Sequence, residues 1–169
     1  MKVLSLFDGI GTGRLSLERA GINVDKYYAS EIDKNAITIA KTNYSDIIEL
    51  GSVLNWRNWD IEWNTIDLLI GGSPCTSFSS AGKQQGFNGE SKLFFEYRDI
   101  LNYLDELNNK NVKWALSNVL ENNGSKNDIL FDWSQKYIVH HLNYTYNNCN
   151  YHRKNKGSND SDEVLITNY

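Results

Sequence analysis

Val3-Leu4-Ser5-Leu6-Phe7-Asp8-Gly9-Ile10-Gly11-Thr12-Gly13 opens the chain with a short apolar run that breaks into a glycine-rich turn. Leu15, Leu17 and Ala20 follow at helical spacing and Gly21 closes that helix, so the segment reads strand, turn, helix. Three glycines before a helix N-terminus permit positive φ angles and close backbone approach, and such a terminus favours an anionic or carboxylate-bearing group. Taken alone, the pattern fits a plain tight turn as well as a ligand cradle.

Working outward, Lys26 to Ser30 reads as a second strand. Glu31-Ile32-Asp33 then begins a helix whose apolar positions include Ala36, Ile37, Ile39 and Ala40. Ile47, Ile48 and Leu50 make a third strand, and Ile66 to Ile70 a fourth that Gly71-Gly72-Ser73-Pro74 halts. This alternation predicts a parallel sheet with helices on both faces. Thr76 to Ser91, rich in Ser, Gly and Gln, reads as a long functional loop. Beyond it the periodicity predicts an amphipathic helix over Lys92 to Asn108 and a fifth strand over Val112 to Leu116. A further helix is expected around Ile129 to His141. Leu142 to Tyr146 and Glu163 to Thr167 then form an antiparallel strand pair joined by the polar segment Arg153 to Asp162. Neither an internal repeat nor a dividing linker is evident, so residues 1–169 are expected to form a single domain.

Composition narrows the function classes. With 40% hydrophobic and 22% charged residues the chain has the balance of a folded protein. A mean hydropathy of -0.53 and the lack of an apolar run of about 18 residues exclude a helical membrane span. The apolar stretch Val3 to Phe7 is too short for a signal peptide, so a soluble, cytoplasmic protein is expected. Cys75 and Cys149 lie too far apart in sequence to suggest a disulfide framework or a zinc pair. No metal is expected: a polar loop explains His140, His141, Cys149 and His152 as well as a ligand set would. Net charge is -4, so the whole chain lacks the footprint of an independent nucleic-acid binder, and contact with DNA has to be local or assisted. Arg153, Lys154 and Lys156 are too few to form a binding patch, and Trp56, Trp59 and Trp63 fit packing against the sheet better than base stacking.

Two residues carry chemical expectation. Glu31 ends the second strand, where an acid in a doubly wound fold accepts hydrogen bonds from ribose hydroxyls, and its distance from Gly13 is near the 20 or so residues that role requires. A capping role at the following helix is the alternative. Cys75 follows the fourth strand at the carboxyl edge of the sheet, where open α/β folds place their ligand, and its thiolate is a potential nucleophile. A small buried hydrophobe is the other reading of that cysteine.

Phe7 to Gly13, Glu31 with Asp33, and Gly72-Ser73-Pro74-Cys75 followed by Phe78-Ser79 and Gly82 together resemble the DNA (cytosine-5) methyltransferase family in order and spacing. The likeness runs from Lys2 to about Val119 and includes Phe87 to Ser91 leading into Leu93 to Glu96. It implies an α/β, Rossmann-like S-adenosylmethionine-dependent methyltransferase fold with a mostly parallel sheet and a C-terminal antiparallel pair. The implied cofactor is S-adenosylmethionine, held by Phe7, Asp8, Gly9, Gly11, Thr12, Gly13, Glu31, Ile32, Ser52, Val53 and Pro74. Cys75 is then the nucleophile that adds to carbon-6 of a cytosine flipped from duplex DNA, under a loop spanning Thr76 to Ser91.

The chain also departs from that pattern. Where the family carries Glu-Asn-Val after the fifth strand, the best-aligned triplet is Ser117-Asn118-Val119, with Glu121 as the acid in a shifted register. A serine cannot share a proton as a carboxyl group does. Ser52 stands where the family has an acid, Asn159 to Glu163 where it has paired arginines, and no target-recognition domain follows. Two readings follow: a minimal enzyme whose target recognition comes from a second polypeptide, or a degenerate homologue acting as a protein- or DNA-binding module.

Overall fold

The computed structural model describes residues 1–72, 93–108, 113–122, 125–142 and 161–169. Five parallel strands form the body of one sheet: β1 (Lys2–Leu6), β2 (Lys26–Ser30), β3 (Ile47–Glu49), β4 (Leu68–Gly71) and β5 (Lys113–Asn122). The sheet then continues through two antiparallel strands, β7 (Ile138–Leu142) and β8 (Ser161–Thr167), in the order β3-β2-β1-β4-β5-β8-β7. A two-residue strand, β6 (Ser125–Lys126), folds back on the end of β5. The expected doubly wound sheet with its C-terminal antiparallel pair is therefore present.

Alternation along the strands assigns each side chain to a face. Leu4, Leu6, Leu69, Trp114, Leu116 and Ile166 point to one side and pack with Tyr97, Ile100 and Leu101 of helix α3 (Leu93–Asn108) and Leu130 of helix α4 (Asp128–Ser134). Val3, Tyr27, Ala29 and Ile47 point to the other, against Leu17 of α1 (Thr12–Arg19) and Ala40 of α2 (Lys34–Asn43). Asp33 caps α2, its side chain accepting from the amides of Asn35 and Ala36. The tryptophan stretch forms two short 3-10 segments, Val53–Asn58 and Trp63–Thr65. Trp56 packs edge-on to Trp63 at 5.6 Å and donates to Glu96 Oε2 of α3 at 3.0 Å, so these aromatics seat α3.

Some expected bounds differ. The helix predicted over Ile129 to His141 ends at Ser134, and a strand occupies Ile138–Leu142, while residues 143–146 of the strand expected at Leu142 to Tyr146 lie outside the described residues. Tyr137, Ile138 and Val139 are aromatic or β-branched, which lowers their helical preference, and β8 offers them a complete ladder from Ile138↔Thr167 to Leu142↔Glu163. The fifth strand is also longer than expected, running to Asn122 because β8 pairs along it. No helix among the described residues is long and apolar enough to cross a membrane.

Candidate functional site

The turn after β1 is held in an unusual backbone conformation. Phe7 adopts φ 57°, a left-handed value rare for a bulky side chain, and Gly9 and Gly11 follow at 63° and 83°. Two anchors to the end of β2 hold it: the Asp8 amide donates to the Ser30 carbonyl at 3.2 Å, and the Gly9 amide donates to Glu31 Oε2 at 2.8 Å. Glu31 Oε1 accepts from the amides of Ile32 and Asp33 at 2.7 and 2.9 Å. Both oxygens thus organise the crossing between the first two strands, and Oε2, with one donor, retains acceptor capacity for a further one.

Beneath this turn, Asp8 is buried with only 7% exposure. Its Oδ1 accepts from the Tyr27 hydroxyl at 2.7 Å, whereas its Oδ2 is buried without a hydrogen-bond partner. Burial pushes the Asp8 carboxyl above its ordinary 3.8, with the charge of Glu31 adding to the rise and the Ser5 and Tyr27 hydroxyls opposing it. Burial, reinforced by Asp8, likewise drives the Tyr27 phenol well above 10.0, so it remains a hydrogen-bond donor. Glu49, at the end of β3, is also raised by burial and by the charges of Asp8 and Glu31.

A cavity of about 490 Å³ lies between this turn, α1 and the ends of β4 and β5. Phe7, Asp8, Thr12, Gly13 and Ser117 all line it, so the structure brings these predicted site residues together. Gly13 lets α1 approach the sheet: a Cβ there would stand 2.7 Å from both Ile70 Cδ1 and the Tyr27 hydroxyl. Gly72 meets β5 in the same way, since its Cβ would stand 2.6 Å from Ser117 Oγ. Glu31 and Gly9 are not among the lining residues but are joined by their mutual bond at the turn, and Gly11 packs over Ala40 of α2.

Other predicted residues are placed differently. Ile32 is 72% exposed beside Glu31 and is free to cover a ligand. Ser52 caps the first 3-10 segment, accepting from the Leu54 amide, and Val53 is buried in the core, which commits its side chain to packing. Glu121 lies four residues beyond Ser117, roughly 13 Å along the strand, paired in register with Lys126 and Asp162 and outside the cavity lining. Pro74 and Cys75, with the rest of residues 73–92, lie outside the described residues, as do Cys149 and His152. Of the histidines read as a conceivable ligand set, His141 instead pairs with Asp162 at 2.8 Å, and no metal-ligating cluster occurs among the described residues.

Sequence reasoning missed several contributors, among them Ser5, Tyr27 and Leu165. Ser5 and Leu165 line the cavity, and Tyr27 fixes Asp8. Tyr27 looks like an ordinary core residue in its strand, and Leu165 reaches the cavity only because β8 inserts beside β5.

These residues fit S-adenosylmethionine. The cavity has the volume of a small-molecule site, and Glu31 follows the carboxyl end of β2, where ribose hydroxyls need an acceptor. The fold is that of the S-adenosylmethionine-dependent methyltransferases. A triple mutant of Spodoptera frugiperda DNMT2 superposes with a TM-score of 0.60 at 20% identity, covering 99% of this chain and 49% of that one. The sequence profile of C-5 cytosine-specific DNA methylases matches residues 1–106, and the chain belongs to that family. The type II methyltransferase M.FokI of Planomicrobium okeanokoites is 50% identical over 70 residues, which are 41% of this chain and 10% of that protein. The orphan methyltransferase M.Rho11sI of Bacillus phage rho11s is 39% identical over 104 residues, 60% of this chain and 20% of that protein. The chain thus spans between about a tenth and a fifth of the length of these curated relatives.

Proposed function

We propose that the chain is the cofactor-binding and nucleophile-bearing core of an S-adenosylmethionine-dependent DNA cytosine-5 methyltransferase, forming one domain over residues 1–169. The observation that carries this reading is the convergence on one cavity of the Phe7 to Gly13 turn, Gly72 at the exit of β4, and Ser117 on β5. Bound cofactor supplies an activated methyl group. Glu31 accepts from its ribose, Ile32 covers its adenine, and the turn receives its amino-acid end.

Cys75 is the proposed nucleophile. It follows Gly72, which lines the cavity, by three residues in the sequence. Its thiolate adds to carbon-6 of a cytosine flipped from the duplex, since that atom is out of reach in the stack; the carbon-5–carbon-6 π pair shifts to carbon-5, which takes the methyl group, and loss of the carbon-5 proton then expels the thiolate. Ser117, with one hydroxyl, offers the base edge a hydrogen bond where the family offers a carboxyl group. Duplex DNA is the substrate, and a second polypeptide supplies the target recognition that this chain, with net charge -4, is poorly suited to provide alone.

Duplex carrying 5-fluorocytosine, incubated with protein and S-adenosylmethionine, tests the reading. A covalent adduct resistant to denaturation is expected, lost in Cys75→Ala. Cofactor binding with no adduct, even with candidate partners added, favours the second reading, in which the fold and cofactor site persist in a DNA- or protein-binding module. Ser117 and the end of the family match at residue 106 are the features that favour that second reading.

A further inference from the structure

Ser117 leaves its place on the cavity wall without a carboxyl group, and the strand beside it carries one. Leu165 faces Ser117 in the antiparallel register of β5 and β8, and both side chains line the cavity. Ladder partners share a face and alternate residues return to it, so the next pair on that face is Val119 with Glu163. Val164 and Ile166 are buried in the core on the α3 side, which leaves Glu163, Leu165 and Thr167 on the cavity side. Glu163 therefore stands diagonally beyond Ser117 toward the carboxyl edge of the sheet, at the spacing of about 7–8 Å that long side chains bridge.

Its carboxyl group is uncommitted. Glu163 is half-buried, and no ion pair or hydrogen bond engages it among the described residues. Its ladder partners, Val119 on β5 and Leu142 on β7, are apolar. Of its diagonal neighbours, Ser117 is neutral and His140 directs Nε2 to Thr167 Oγ1 at 3.3 Å, toward the opposite end of β8. Glu121, the acid nearer to Ser117 in sequence, is turned away. The register shifts between Val119 and Glu121, so Glu121 pairs with Asp162 and leaves the cavity face. Asp162 belongs to the α3 side, where its Oδ1 meets His141 Nδ1 at 2.8 Å.

We propose that Glu163 supplies the carboxyl group that Ser117 lacks, so that the acid holding the substrate base comes from β8 in place of β5. This rests on the cytosine-5 methyltransferase reading above and adds a catalytic residue to it. A protonated carboxyl group presents an O–H donor beside a carbonyl acceptor, which matches the ring nitrogen-3 and the exocyclic amine of cytosine. As the thiolate adds to carbon-6, negative charge spreads through the ring to nitrogen-3, and the proton passes from Glu163 to that atom. Carbon-5 takes the methyl group and its proton leaves to water as the thiolate is expelled. Nitrogen-3 then returns its proton to the Glu163 carboxylate.

Single-turnover methyl transfer to cytosine-containing duplex tests this, at saturating S-adenosylmethionine and with any partner polypeptide that the wild-type chain requires. Glu163→Gln, close in size, is expected to slow the step by about 10²- to 10⁴-fold while cofactor affinity stays within about threefold. Adding Ser117→Glu to Glu163→Gln is expected to recover about tenfold or more, because it returns a carboxyl group to the same wall from β5. Formate is expected to speed Glu163→Ala by a similar factor, which a merely structural role would not produce. A rate in Glu163→Gln within about threefold of wild type, or a loss that neither Ser117→Glu nor formate recovers, overturns the inference and leaves the methyltransferase reading standing. Loss of rate in Glu121→Gln with none in Glu163→Gln also overturns it and assigns the acid to β5. Neither transfer nor a 5-fluorocytosine adduct with the folded wild-type chain overturns the methyltransferase reading itself.

Discussion

The two ends of the sheet are built on the same ladder but carry different amounts of chemistry. At the β1–β2 end, the turn from Phe7 to Gly13 is held by Glu31, Tyr27 and Ser30, so side chains and backbone specify one another. At the β5–β8 end the sheet continues past residue 106, where the family match stops, through a register of seven pairs from Ala115↔Thr167 to Asn122↔Ser161 with one shift between Val119 and Glu121. Strand pairing is made by main-chain groups and needs only a compatible pattern of burial. A sheet can therefore persist where the residues that perform a family's chemistry have changed. Ser117 is the case in point: it occupies the cavity wall beside Gly72 with a hydroxyl, where the resemblance to the family implies a carboxyl group.

The sharpest way to test that contrast is to restore the missing group. Ser117→Glu places a carboxyl group in a cavity of about 490 Å³ without altering the turn after β1. If the far end lacks only its acid, the rate of methyl transfer should rise by about 10² to 10⁴, the usual worth of a positioned general acid, with cofactor affinity unchanged. Single-turnover transfer to cytosine-containing duplex is the measurement. An unchanged rate with intact cofactor binding would mean that the far end has diverged in more than one residue.

Stability gives the next largest effect. Trp114 is fully buried on β5, 4.5 Å edge-on from Tyr137 and 5.6 Å from Trp133. Trp114→Ala should cost about 3–5 kcal/mol in urea unfolding, showing that this end is a full part of the core despite lying outside the family match. A loss below about 1 kcal/mol would make the β5–β8 region a loosely attached annex.

The same contrast governs what the sequence disclosed. The order β-α-β at the start was legible because glycine punctuation and apolar periodicity coincide from Val3 to Ala40, and five of the cavity-lining residues were named from motif alone. The junction of α4 and β7 was not legible, because Ile129 to His141 carries an ambiguous apolar pattern that the distant strand β8 resolves. Tyr27 escaped for a related reason. Its hydroxyl is functional only through a hydrogen bond to a residue 19 positions away, and nothing in the local pattern of β2 separates it from Tyr28.

Within the well-specified end, two glycines separate close packing from backbone conformation. Gly13→Ala sets a methyl 2.7 Å from Ile70 Cδ1 and the Tyr27 hydroxyl and should cost about 1–3 kcal/mol, along with cofactor affinity, because it displaces the tether of Asp8. Gly9→Ala meets no heavy atom within 4 Å and pays only for φ +63°, about 1–2 kcal/mol. Thermal unfolding and cofactor titration on both variants would rank them, and a larger affinity loss in Gly9→Ala would show that the turn's conformation, more than the packing beneath it, holds the ligand.

The smallest expected effect is the pH dependence of the unliganded chain, and its sign follows from Asp8. Burial raises this carboxyl above 3.8, so the folded state holds the proton more tightly than the unfolded one. Its contribution to stability is fully present below 3.8 and is lost as pH rises through the raised value. Glu49 is raised too and slopes in the same direction, so the wild-type curve alone does not isolate Asp8. The difference between wild type and Asp8→Asn does, because asparagine does not titrate. That difference should fall with rising pH across the acid range and then level off, as measured by unfolding at a series of pH values. An opposite slope would mean that Asp8 is stabilised as an anion in the empty site, by a donor at its Oδ2, and the contrast between the two ends of the sheet would then lose its electrostatic half.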